Sequence, residues 1–104
     1  VTEVNLSRPL ENPDGQAFAP DGRLLVLEGA AESGNGKLLA INLASAEPHT
    51  TEVLLEGLTS PLNLTIVDDQ VAVTESYIRH LLVDDPSLIP PDTFRVVTVP
   101  LGLP

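Results

Sequence analysis

The chain is 104 residues long, carries 15 acidic against 5 basic residues for a formal net charge of −10, and has no cysteine. That length holds one compact domain, and that charge repels phosphate backbones and anionic lipid, which disfavours nucleic-acid and membrane-surface roles. Without cysteine there is no disulfide framework, thiolate metal site or thiol nucleophile, and the redox compartment is left unread.

No apolar run approaches a membrane span, and the opening VTEVNLSRP has neither the basic head nor the apolar heart of a signal peptide, so any export signal is expected upstream of Val1. Tyr77, Phe18 and Phe94 are the only aromatic residues, prolines number 10, and Val, Leu and Ile dominate the apolar set. That composition favours strands and tight turns over long helices.

Thr2, Val4 and Leu6 alternate with Glu3, Asn5 and Ser7, the period of a half-exposed strand that Arg8 and Pro9 end. Gln16 to Ala19 reads as a short strand closed by Pro20, and Asp21-Gly22 as a hairpin turn before the all-apolar strand Leu24 to Leu27. A continuous apolar run of that kind is expected to be covered on both faces. Asn35-Gly36 gives a second hairpin signal before a strand at Leu38 to Leu43, and Thr51 to Glu56 forms a fourth strand after the turn around Pro48. A helix over Leu38 to Glu47 fits the Leu, Ala and Glu content, but Asn35-Gly36 before it and Pro48 after it suit a hairpin better. Further along come Leu62 to Val67, a turn at Asp68-Asp69, Val71 to Glu75, Ile78 to Asp84 and Phe94 to Val99.

The segment from Pro13 to Gly29 recurs from Pro61, and a third copy begins at Pro104. Pro13 to Pro61 is a shift of 48 positions, Glu28 to Glu75 of 47, and both Leu38 to Leu81 and Pro61 to Pro104 of 43. The shift changes inside loops and holds within strands. Thr2 to Ser7 aligns with Thr50 to Leu55, which makes it the outer strand of a preceding unit. The expectation is all-β: two four-stranded antiparallel β-propeller blades plus one leading outer strand. Residues 1–9 are then the outer strand, 10–57 the first blade and 58–104 the second. A small β-sandwich with strands at similar spacing is the alternative.

Pro13-Asp14-Gly15, Asp21-Gly22-Arg23-Leu24 and Gly36-Lys37-Leu38 follow an order that resembles the six-bladed propellers of the senescence marker protein, gluconolactonase and luciferin-regenerating enzyme group. The resemblance covers nearly the whole chain and implies that it is the last two blades of such a protein. Strictosidine synthase-like and NHL-repeat propellers share a Pro-x-Gly opening and an Asp-Gly turn. The resemblance implies that Asp14 sits at the channel mouth, ligates a divalent metal such as calcium or zinc, and helps activate water for hydrolysis of a small lactone or ester. The group's other ligands, a Glu and an Asn from earlier blades, have no counterpart upstream of Asp14, so the chain alone is expected to be inactive. A non-catalytic propeller module that binds a ligand or protein partner is the competing class.

The local alternative for Asp14 is a turn residue bonded to backbone amides. Asn63 follows the position equivalent to Asp14, with a turn or ladder role as its local alternative. Glu28 and Glu75 are repeat equivalents, expected to steady each unit through hydrogen bonds to neighbouring backbone. His49 and His80 lack the neighbours that make a metal motif. Gly-x-Ser-x-Gly and Walker patterns are absent, and Pro90-Pro91 reads as loop stiffening. Two blades leave apolar faces open, so a homo-oligomer joined through those faces, with three copies supplying six blades, is the expected assembly.

Overall fold

Seven strands and no helix make up the described residues, which are 2–76, 85, 87 and 95–101 of a computed structural model. β1 (Pro13–Phe18), β2 (Leu24–Glu28), β3 (Gly36–Ile41) and β4 (Thr51–Leu58) make a four-stranded antiparallel sheet in chain order. β5 (Pro61–Val67), β6 (Gln70–Glu75) and β7 (Val96–Pro100) make a three-stranded one, also antiparallel.

The turns follow local chemistry. Between β1 and β2 the Gly22 N–H donates to the Ala19 carbonyl at 2.9 Å, and Gly22 takes φ 92°, which a residue without Cβ adopts freely. Asp21 Oδ1 accepts from the Arg23 N–H at 3.1 Å, and its Oδ2 accepts from Arg23 Nε at 2.8 Å. Between β5 and β6 the turn is Asp68-Asp69, with Asp68 at φ 55°.

Asn35-Gly36 is not the turn the sequence suggests. Gly34 takes the positive φ of 74°, while Gly36 opens β3 in a place where a Cβ would lie 2.5 Å from Pro61 Cδ and 2.7 Å from the Leu58 carbonyl oxygen. Its small size serves packing rather than backbone reversal.

The sheets pack face to face. Leu25, Leu27, Leu38 and Ala40 on one face of the first sheet meet Leu64, Val71 and Val73 of the second, with Leu58 and Leu101 closing the cluster. Alternation along β6 and β7 follows from this contact: Val71, Val73 and Val97 turn inward, and Ala72, Thr74, Val96 and Thr98 turn outward. The other face of the first sheet presents Leu24, Val26 and Ile41, and the segment carrying Val4, Leu6 and Leu10 lies over it around a cleft of about 420 Å³. Leu24 to Leu27 is thus covered on both sides, as its unbroken apolar run requires.

Two expectations are corrected. Thr2 to Ser7 forms no strand; one parallel bridge joins Leu6 to His49, because the segment crosses the first sheet instead of extending a preceding one. The repeat spacing makes Phe94 to Val99 the outer fourth strand of the second unit. Instead β7 pairs directly with β6, Val73 opposite Val97 and Val71 opposite Val99, which packs Val97 against the shared core. Ile78 to Asp84, His80, Pro90-Pro91 and the third copy opening at Pro104 lie outside the described residues.

At Gly15 the first strands of the two sheets meet backbone to backbone: a Cβ there would stand 2.6 Å from the Leu62 carbonyl oxygen and 3.0 Å from Asn63 Cα. Backbone cannot move aside as a flexible side chain does. Gly15→Ala is expected to lower stability by about 1–3 kcal/mol through overpacking. A urea unfolding midpoint unchanged from wild type would show that the two strands are not in contact.

Candidate functional site

Glu28 and Glu75 end their second strands at equivalent places, and both are buried. Glu28 Oε2 accepts from the Glu11 N–H at 2.5 Å, and Glu75 Oε2 accepts from the Thr59 N–H at 2.5 Å. The next residues repeat the pattern: the Gly29 N–H donates to the Asn12 carbonyl at 2.9 Å, and the Ser76 N–H donates to the Ser60 carbonyl at 3.0 Å. Asn12 and Ser60 both take positive φ, 51° and 48°. Each precedes a proline, so the backbone here is held in a sparsely populated region. The carboxylates are therefore structural, each clasping the incoming linker to its sheet.

Their cations differ in origin. Arg8, twenty residues before Glu28, binds it through both Nη atoms, at 2.5 and 3.0 Å. Arg95, twenty residues after Glu75, donates to it through Nε and Nη2. Burial pushes the Glu28 carboxyl up, but the Arg8 guanidinium and the Glu11 N–H outweigh burial and hold its pKa below the ordinary value. The Glu28 hydrogen bond in turn raises the pKa of Arg8.

Asp14 stands on β1, exposed, directly after Pro13, and its carboxylate makes no hydrogen bond or ion pair among the described residues. The turn-residue alternative for Asp14 would need backbone amides bonded to its carboxylate. Instead Asp14 lines two clefts, the 420 Å³ one beneath the leading segment and a 230 Å³ cavity shared with Asn12, Gly29, Ala31, Ser60 and Leu62. That second cavity lies between the two clasps.

The other candidates do not join Asp14. Asn63 Oδ1 accepts from the Leu64 N–H at 2.9 Å, and the Asn63 side chain borders a separate cleft with Thr65, Ala72 and Thr74 on the outer face of the second sheet. His49 is buried, with Nδ1 3.2 Å from Ser45 Oγ, and its backbone fastens the leading segment by accepting from the Ser7 N–H and donating to the Asn5 carbonyl, both at 2.8 Å. Among the described residues no three His, Cys, Asp or Glu side chains gather as a metal set. Ser60 is a cavity residue that motif reading passes over. The shift of 48 positions that pairs Pro13 with Pro61 also pairs Asn12 with Ser60, a signal present in the sequence.

No protein-family model, curated protein or solved structure matches the chain.

Because the folded pKa of Glu28 is depressed, its clasp stabilises fully above the unfolded Glu value of about 4.3 and loses that contribution as pH falls through the folded value. Glu28→Gln is expected to cost about 1–3 kcal/mol at pH 7 and to flatten the loss of stability below pH ~4.3. The check is a series of urea midpoints from neutral to acid pH. An acid slope as steep in the variant as in wild type would assign that slope to other carboxylates, such as Glu11 and Asp21, whose pKa values are also lowered.

Proposed function

We propose that the chain forms two successive blades of a propeller like those of the gluconolactonase group, and contributes Asp14 to a divalent-metal site in a hydrolase of small lactones or esters. The observation that carries this reading is the placement of Asp14: an exposed carboxylate without a hydrogen-bond or ion-pair partner among the described residues, in the Pro-Asp-Gly that opens β1, bordering clefts at that strand. The repeated clasp supports the idea of successive blades, since each unit begins in the same way.

Calcium takes about six to eight oxygen ligands and zinc about four. Asp14 supplies one carboxylate, and among the described residues no second carboxylate or imidazole borders the 230 Å³ cavity. The described residues thus fall short of a coordination sphere, and the remaining donors belong to other blades or other copies. A single copy is inactive on this reading.

Three copies would supply six blades and set three Asp14 carboxylates around one axis. Light scattering is expected to give three times the 11.0 kDa chain mass when calcium or zinc is added. Asp14→Asn should abolish the metal dependence. A mass that ignores metal in wild type and variant alike would count against Asp14 as a ligand in this chain.

A further inference from the structure

The sheets of one chain pack through unlike faces, and the repeat supplies a second pair of faces of the same kind. Leu25 and Leu27 of the first sheet pack with Val71 and Val73 of the second. One repeat later the first pair becomes Ala72 and Thr74, on the outer face of the second sheet. One repeat earlier the second pair becomes Leu24 and Val26, on the face beneath the leading segment. The outer face has the character of a contact surface. Glu75, which is buried, is the only charged residue in β5, β6 and β7, although the chain carries −10 overall. Val67 and Val96 are 59% and 63% exposed, and strand pairing lines up Thr65, Ala72 and Thr98 in the row between them. Depletion of charge at the centre is what sets an interface apart from the rest of a protein surface.

The leading segment covers the other face poorly. None of residues 2–10 is buried, Val4 is 49% exposed, and the 420 Å³ cleft remains between the segment and the buried Val26 and Ile41. Among the described residues, 2–7 are held by the two backbone bonds to His49 and by Asn5 Nδ2, which donates to Glu47 Oε2 at 2.9 Å. Arg8 is anchored separately on Glu28, so the segment can swing about Arg8 while the clasp stays closed.

We propose that residues 2–7 compete with a second copy of this chain for the face carrying Leu24 and Val26. When the segment leaves, the outer face of the neighbour's second sheet, with Ala72 and Thr74, takes its place. The contact continues the packing already present within the chain, with one difference. Asn63 stands at the repeat position of Gly15, where a Cβ lies 2.6 Å from the facing carbonyl oxygen, so first strands of neighbouring copies sit further apart than β1 and β5 do. Three strands of about six residues span about 14 by 20 Å. That is well under the roughly 800 Å² per partner of a stable complex, so the association is weak and a short segment can rival it.

The inference rests on the successive-blade reading and not on the metal, so the test is run with a chelator present. The chain has no cysteine of its own, and Leu6 and His49 are bridge partners, about 4.7–4.9 Å apart and within the span of a disulfide. Leu6→Cys with His49→Cys locks the segment when oxidised and frees it when reduced. At high salt, which screens the net charge, light scattering of the reduced protein is expected to give a mass that rises above 11.0 kDa with concentration up to about 1 mM. The oxidised protein should stay at 11.0 kDa. In the reduced protein Thr65→Glu should abolish the rise by placing a charge in the contact, and Asn63→Gly should move it to about tenfold lower concentration by letting the first strands close up. A pair of cysteines that does not cross-link would overturn the inference by showing that Leu6 is not seated at His49. So would a reduced protein of constant mass, an oxidised one that associates as readily, a rise indifferent to Thr65→Glu, or an Asn63→Gly protein that associates no better. With calcium in place of the chelator, a trimer formed by the oxidised protein would uphold the metal reading and overturn this one.

Discussion

One interaction recurs where the chain leads into each sheet, and the rest of the structure depends on it. A buried glutamate at the end of the second strand accepts the backbone N–H of the linker that leads into the first strand, while the residue after the glutamate donates back to that linker. Together the two bonds hold Asn12 and Ser60 at positive φ immediately before proline, a conformation costing on the order of 1–3 kcal/mol per residue when nothing enforces it. The clasp fixes where each first strand begins. It thereby fixes the point at which β1 and β5 meet, and Gly15 is the residue that lets them meet.

The same repeat explains why the two sheets stack with unlike faces. Leu25 and Leu27 look toward the second sheet, but their equivalents one repeat later are Ala72 and Thr74, which look away from it. Val71 and Val73 look back toward the first sheet, and their equivalents are Leu24 and Val26, on the face crossed by the leading segment. Contact between unlike faces is heterologous and has no built-in end. At one end the face is covered by residues around Val4, Leu6 and Leu10, fastened through Arg8 to Glu28 and through His49. At the other, Asn63, Thr65 and Thr74 share the outer face with Ala72 and the exposed Val96.

Much of this is legible in the sequence because strand period, turn chemistry and repeat spacing agree between Pro13 and Glu75. The unbroken apolar run at Leu24 to Leu27 announces a strand covered on both faces, and the Glu28–Glu75 equivalence announces a structural carboxylate. Where sequence and structure part, one pattern serves two purposes. Alternation in Thr2 to Ser7 is the same whether a segment joins a ladder or lies across a sheet. Glycine after asparagine marks a turn, but Gly36 answers to Pro61, a contact between residues far apart in the chain that no local pattern carries. The neighbour of β6 is not legible because repeat spacing orders strands along the chain and is silent about which ones pair.

The cavity bordered by Asp14 and Ser60 follows from the same constraint. Two clasps built alike would present equivalent side chains, yet one carries Asn12, long enough to reach the Ala31 N–H, and the other carries Ser60, whose hydroxyl reaches no partner among the described residues. The repeat holds the backbone constant and so converts a difference of side chain into a difference of chemistry. Divergence at a clasp position also leaves the bonds that hold the sheet untouched, because those bonds use the Asn12 and Ser60 carbonyls rather than their side chains. Such positions are where a repeated scaffold can vary its side-chain chemistry without losing its fold.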